Sequence, residues 1–165
     1  MSNTDKQEGE PSAGPQASPE TEQWSFEDRL KYALVPPWLY VRYRAWKELR
    51  SGEAEATLLP LLVNRNRNAV DAGANKGTYT YLLSRLCRHV HAFEPYPKML
   101  GILRRTARSN VSVVAAALSD MSGTASFRVP RHRKGGLSNQ GGSLSAVKVD
   151  GPHVAFEVST AMSDS

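Results

Sequence analysis

Two carboxylates and two glycines are the residues whose types and spacing could do chemistry. Asp71 and Glu94 each stand at the end of a short apolar run, and Gly73 and Gly77 lie just beyond Asp71. Apolar residues then recur at helical spacing, at Tyr79, Leu82, Leu83 and Leu86. Strand, tight turn and helix in that order open an α/β sheet. Such sheets bind ligands outside the carboxyl ends of their strands, so Asp71, Gly73 and Gly77 fall where a cofactor would sit. Glu94 ends a second strand roughly 20 residues past the glycine turn, the position from which a carboxylate takes both hydroxyls of a ribose.

A ribose suits NAD and S-adenosylmethionine equally, and the turn separates them. A pyrophosphate needs G-x-G-x-x-G and free amides at a helix N-terminus. Here the spacing is Asp71-x-Gly73-x-x-x-Gly77. An acid ahead of the first glycine repels a pyrophosphate and suits an ammonium, such as that of the methionine part of S-adenosylmethionine. Gly73 lets the backbone approach a ligand, and Gly77 lets the helix pack on the strand. A plainer reading makes Asp71 a helix cap and Glu94 a surface acid. Two acids at adjacent strand ends, with two glycines between them, are more than packing requires.

The elements that must position these residues follow from the pattern. After the turn, the helix runs to about Arg88. His89 to Glu94 forms the second strand, closed by Pro95. Residues 96–108 form a helix with Met99, Leu100 and Leu103 apolar. Val111 to Leu118, apolar except for Ser112, reads as one strand buried on both faces. This is the βαβαβ half of a doubly wound fold. Thr124 to Val129 alternates as a strand, residues 130–143 form a basic, glycine-rich loop, and Ser143 to Val149 is expected to pair with His153 to Thr160 around Asp150-Gly151.

Ahead of the sheet, residues 1–23 are polar and hold five acids and one base, a tail too poor in apolar residues to order. Residues 24–63 form a helical lead-in. Ser25 caps a first helix that Pro36-Pro37 stops. A second runs from about Trp38 to Arg50, with Leu39, Tyr43, Trp46 and Leu49 as the stripe expected to pack on the domain. Its arginines make it basic and amphipathic, a pattern also found on membrane surfaces, but packing is the commoner use. Leu58 to Val63 forms a short helix into the sheet, and residues 64–165 hold the α/β domain.

Composition sets the bounds. The chain has 165 residues and a net charge of +5, with the body at +9 once the acidic tail is set apart. A basic body can attract nucleic acid or anionic substrates, although the basic residues are scattered along the chain and nucleic acid is not the expected partner. No apolar run is long enough for a membrane span. Cys87 is the only cysteine, so an intrachain disulfide is excluded and a reducing, cytoplasmic setting is expected. It falls on the apolar-patterned helix and reads as core. The four histidines show no metal spacing, and neither a hydrolase triad nor a phosphate-binding NTPase loop is present.

The combination resembles one family. Val70-Asp71-Ala72-Gly73-Ala74-Asn75-Lys76-Gly77-Thr78-Tyr79-Thr80, then Ala92-Phe93-Glu94-Pro95, then Ala117-Leu118-Ser119-Asp120 before Gly123, resemble the FkbM family of S-adenosylmethionine-dependent methyltransferases. The resemblance covers roughly residues 46–160. It implies a Rossmann-like class I methyltransferase fold and O-methylation of a hydroxyl on a sugar, glycan or secondary metabolite. By that resemblance Asp71, Gly73, Asn75 and Gly77 would line the methionine end of the cofactor, and Ala74 and Thr80 would also bind it. Glu94, followed by Pro95, would hold its ribose, and Ala117, Leu118 and Ser119 would lie near its adenine. No residue is assigned as general base. Family members continue into a further acid-bearing strand and more of the sheet, which this sequence lacks. The expectation is an incomplete fold, a truncated product or fragment, inactive by itself. The alternative is a catalytically inactive α/β binding module whose basic face meets an anionic partner.

Overall fold

Strand, turn and helix form at the glycine turn as the spacing predicts. The computed structural model describes residue 30 and residues 34–51, 54–131, 142–144 and 151–162. In chain order these make α1 (Pro37–Ser51), α2 (Ala54–Leu62), β1 (Asn68–Ala72), α3 (Thr78–Leu86), β2 (His89–Phe93), α4 (Pro97–Thr106), β3 (Val111–Val114), β4 (Ala117–Ser119), β5 (Gly123–Pro130) and β6 (His153–Met162). The expected disordered tail and the start of the first predicted helix lie outside the described residues.

β1, β2 and β3 pair in parallel in that order. Each connection is a helix, so the unit is a Rossmann-like βαβαβ half. Pro97 starts α4, where its missing N–H costs nothing. Ala92, fully buried on β2, packs with Ala74, Leu103, Val111 and Val113, which ties sheet, turn and α4 together. Ala45, Ala56 and Leu82 join α1, α2 and α3.

β4, β5 and β6 form a second sheet in the order β4-β6-β5. β5 and β6 are antiparallel along their length, from Gly123 opposite Thr160 to Pro130 opposite His153, and β4 runs parallel to the end of β6. Its inner face meets α4 and α1 in the largest core, where Met99, Ile102, Phe127, Val129 and Phe156 surround Tyr40 and Tyr96. The rings of Tyr96 and Phe156 stack at 5.8 Å.

Three expectations change. The run from Val111 to Leu118 is two strands, because Ala115 and Ala116 bend the chain and β4 joins the second sheet. Alanines fit either side of such a bend, so apolar content alone could not mark it. β6 also gains a partner that the sequence did not announce: β5 runs along it, and Ser143 bridges Arg128 of β5, while the rest of the pairing expected of Ser143 to Val149 falls on residues 145–150, outside the described residues. Finally, α1 is turned from its predicted orientation. Leu39, Tyr43, Trp46 and Leu49 are exposed, while Tyr40, Val41 and Ala45 are buried. The smaller Val41 and Ala45 let α1 sit close to α3, which bulky aromatics at the contact would prevent.

One side of the parallel sheet stays open. Val70, opposite His91, is 53% exposed, and Ser112, opposite His91 on the far side, is exposed too. Parallel sheets ordinarily bury both faces.

Candidate functional site

The turn after β1 is a chain of left-handed residues. Gly73, Asn75 and Gly77 have φ of 78°, 51° and 85°. A side chain is strained in that region, least so for glycine and asparagine. The N–H groups of Gly73 and Ala74 both donate to the Phe93 carbonyl at 2.9 Å, which anchors the turn to the end of β2. At Gly77 a Cβ would lie 2.8 Å from Leu103 Cδ1 and 3.2 Å from Thr106 Oγ1. Gly77 thus allows the close approach of α4 to the start of α3, the packing role that the spacing predicts.

Asp71 and Glu94 stand at the ends of the neighbouring strands, as predicted. The Thr80 hydroxyl donates to Asp71 Oδ2 at 2.5 Å, and the Thr80 backbone N–H also bonds the Asp71 carboxylate. Asp71 therefore satisfies one of the orphan amides of the first turn of α3, the capping role of the plainer reading. It also lines a pocket. Glu94 is 5% exposed. Its Oε2 accepts from the Asn75 N–H at 2.6 Å and its Oε1 from the Tyr96 N–H at 2.8 Å. Glu94 is not the surface acid of the plainer reading. It clamps the turn to the segment that leads into α4.

Burial pushes the pKa of both carboxyls up from the ordinary carboxylate range. For Glu94 burial is the largest cause; the Tyr96 and Asn75 N–H groups pull the value back, and the negative charge of Asp71 raises it. For Asp71 burial again leads, opposed by the bonds from Thr80. Two like charges that sense each other at adjacent strand ends favour an ammonium or a hydroxyl donor between them.

The pocket at the turn has a volume of about 150 Å³. Asp71, Gly73, Ala74, Asn75, Lys76, Thr78 and Tyr79 form one wall, and Arg44 and Glu48 of α1 form the other. The sequence reading missed Arg44 and Glu48 because it turned the opposite side of α1 inward. Their i, i+4 spacing beside Val41 and Ala45 was the signal available. Among the predicted site residues, Gly77, Thr80 and Glu94 lie behind the pocket wall rather than among its lining. Pro95 is half-buried just past β2. Ala117 is buried in the core with Tyr96 and Phe156, and neither it nor Leu118 or Ser119 lines the pocket.

Other expected features are quiet. Cys87 is half-buried, and burial pushes its thiol up, away from the reactive thiolate. His89 hydrogen-bonds the Ser112 hydroxyl at 2.8 Å and lies 4.8 Å from the His91 ring. Among the described residues there is no cluster of potential metal ligands, and no helix is long and apolar enough to cross a membrane.

No protein-family model matches the chain, and no curated protein matches it. Several solved structures resemble parts of it, two methyltransferases among them. An rRNA methylase from Streptococcus thermophilus is 22% identical, with a TM-score of 0.35, over 37% of this chain and 39% of that one. Phosphoethanolamine N-methyltransferase 1 from Haemonchus contortus, in complex with phosphoethanolamine and S-adenosylhomocysteine, is 15% identical, with a TM-score of 0.30, over 51% of this chain and 22% of that one. The likeness covers less than half the length of either solved chain.

Proposed function

We propose that the chain binds S-adenosylmethionine and forms the cofactor half of an FkbM-type methyltransferase that acts on a hydroxyl of a sugar, glycan or secondary metabolite. The observation that carries this reading is the pair of carboxylates, half-buried Asp71 and buried Glu94, at adjacent strand ends with the left-handed turn Gly73–Gly77 between them. The pocket chemistry suits an amino-acid zwitterion. Asp71 supplies the negative charge for an ammonium, and Arg44 across the pocket supplies a guanidinium for a carboxylate. Glu94 keeps free lone pairs on both oxygens, so it can accept from ribose hydroxyls while still holding Asn75 and Tyr96. When bound, the cofactor supplies an activated methyl group; the work of these residues is to hold it in line with the acceptor oxygen.

The volume of the pocket limits the fit to the amino-acid end. Typical ligand sites measure roughly 300–1,000 Å³, so the nucleoside would extend past the turn. A second reading, a binding module without catalysis, draws support from the burial of Glu94 and the two backbone bonds that occupy it.

The test is calorimetry on the full chain. S-adenosylhomocysteine is expected to bind and NAD is not. Glu94→Gln is expected to weaken binding by about 1.5–3 kcal/mol, the range for hydrogen bonds to a charged group. Heat from NAD with none from S-adenosylhomocysteine would overturn the reading.

A further inference from the structure

Away from the glycine turn, four arginines converge. Arg42 of α1, Arg85 in the last turn of α3, Arg105 in the last turn of α4 and Arg108 just beyond it line an open cleft of about 270 Å³ with Trp38 and Tyr81. No acid is among the described residues that line it. The Arg85 guanidinium lies 5.9 Å from the Tyr81 ring centre, and its Nη1 donates to the Tyr81 hydroxyl at 3.4 Å. Cations near helix C-termini commonly answer the helix dipole. Two helix ends amount to roughly one negative charge between them. Arg42, Arg85 and Arg108 by themselves exceed that, and the surplus suits an anion. The planar fork of a guanidinium matches phosphate oxygens two at a time.

Trp38 and Arg42 also belong to the outer face of α1. At about 100° per residue, Leu39, Tyr43, Trp46 and Leu49 fall on the same arc as Trp38, and all five are exposed. The charges on that arc are Arg42 and Arg50, while Glu48 turns to the pocket at the glycine turn. Arg50 sits 5.0 Å over the Trp46 ring, and Tyr43 stacks on Trp46 at 6.2 Å. Cleft and face are one continuous surface, cationic and amphiphilic.

We propose that this surface docks on an anionic membrane: the arginine cleft takes the phosphates of acidic phospholipids, and Trp38, Leu39, Trp46 and Leu49 enter the interfacial layer. Tryptophan, tyrosine and leucine beside arginine are the side chains that settle at a bilayer interface. Single-stranded RNA would use the same cations and rings, but it has no use for the exposed leucines between them. Charge complementarity selects acidic lipid over neutral lipid. The site is separate from the glycine turn and stands whether or not the cofactor reading does.

The experiment sediments the full 165-residue chain with phosphatidylcholine vesicles and with vesicles that carry about one-third phosphatidylglycerol, a charge density chosen to give a strong surface potential. The chain is expected to sediment with the acidic vesicles only, and less so as salt rises. In a Trp24→Phe background, which keeps Trp38 and Trp46, the fluorescence is expected to shift to the blue on binding. Arg85→Glu with Arg108→Glu is expected to weaken binding at least about tenfold, and Trp46→Ala is expected to reduce the blue shift. Arg85→Gln serves if the double variant has an altered melting curve. Arg131→Glu, a charge reversal in the second sheet, is expected to leave binding unchanged. Equal binding to neutral vesicles, binding to neither, or an equal loss in Arg131→Glu would overturn the proposal. So would preference for an RNA oligonucleotide over acidic vesicles, or self-association that Trp46→Ala abolishes.

Discussion

Glu94 carries its charge where water is scarce, Asp71 stands half-buried beside an open pocket, and hydrogen-bond donors hold both in place. Thr80 serves Asp71, and the Asn75 and Tyr96 amides serve Glu94. Their pKa values nevertheless rise, because burial outweighs the hydrogen bonds. The sign follows from linkage. A carboxyl whose folded pKa is raised contributes stability that is fully present below its unfolded pKa and is lost as pH climbs through the folded value. The melting temperature is therefore expected to rise as pH falls from neutral toward the ordinary carboxylate range. Asp71→Asn keeps an acceptor for Thr80 but removes the charge. In thermal melts it is expected to be a few degrees more stable at neutral pH and less sensitive to that pH change. An unchanged or steeper pH dependence would mean that other groups set it.

At the scale of elements, the two faces of the parallel sheet differ in kind. α3 and α4 cover one face, where Val90, Ala92 and Leu103 are fully buried. The other face leaves Val70 and Ser112 exposed although the strands are paired in register. Leu103→Ala is expected to cost about 2–5 kcal/mol, since it opens a cavity against Ala92 and Ala74. Val70→Lys is expected to change stability by no more than about 0.5 kcal/mol, the ordinary range for exposed positions. Urea denaturation of both variants checks the contrast. A large loss from Val70→Lys would show that this face is covered in solution. α1 carries the same lesson in reverse: its largest side chains face out and its small ones face in.

At the scale of the molecule, two sheets share one set of helices. The parallel sheet carries the glycine turn, and the mixed sheet closes the core around Tyr40, Tyr96 and Phe156. The turn pocket of about 150 Å³ is small for a whole cofactor and its acceptor, against roughly 300–1,000 Å³ for common sites. The expected outcome for the full chain with labelled S-adenosylmethionine and a panel of hydroxylated sugars is no methyl transfer. A soluble monomer that methylates any of the sugars would show that the pocket needs no further wall.

The order of strands and helices was legible in the sequence because it depends on short-range signals: a period of two or 3.6, glycines in the turns, prolines at the ends of elements. The places of Asp71, Gly73, Gly77 and Glu94 at strand ends followed from that order alone. So did the packing role of Gly77, although its partners Leu103 and Thr106 did not. Tertiary structure decided what periodicity leaves degenerate. α1 offers two faces that could each be buried, and close approach to α3 selected Val41 and Ala45 over Tyr43 and Trp46. The run from Val111 to Leu118 is apolar whether it makes one strand or two, and only the pairing of β4 with β6 divides it. The four cleft arginines come from three different parts of the chain, and Arg44 and Glu48, although spaced i, i+4 on α1, reach the glycine turn only in the fold, so no spacing along the chain announces what they meet. The burial of Glu94 is of the same kind: it needs amides from Asn75 and Tyr96 on both sides of its strand end, brought within reach only when the turn folds over β2.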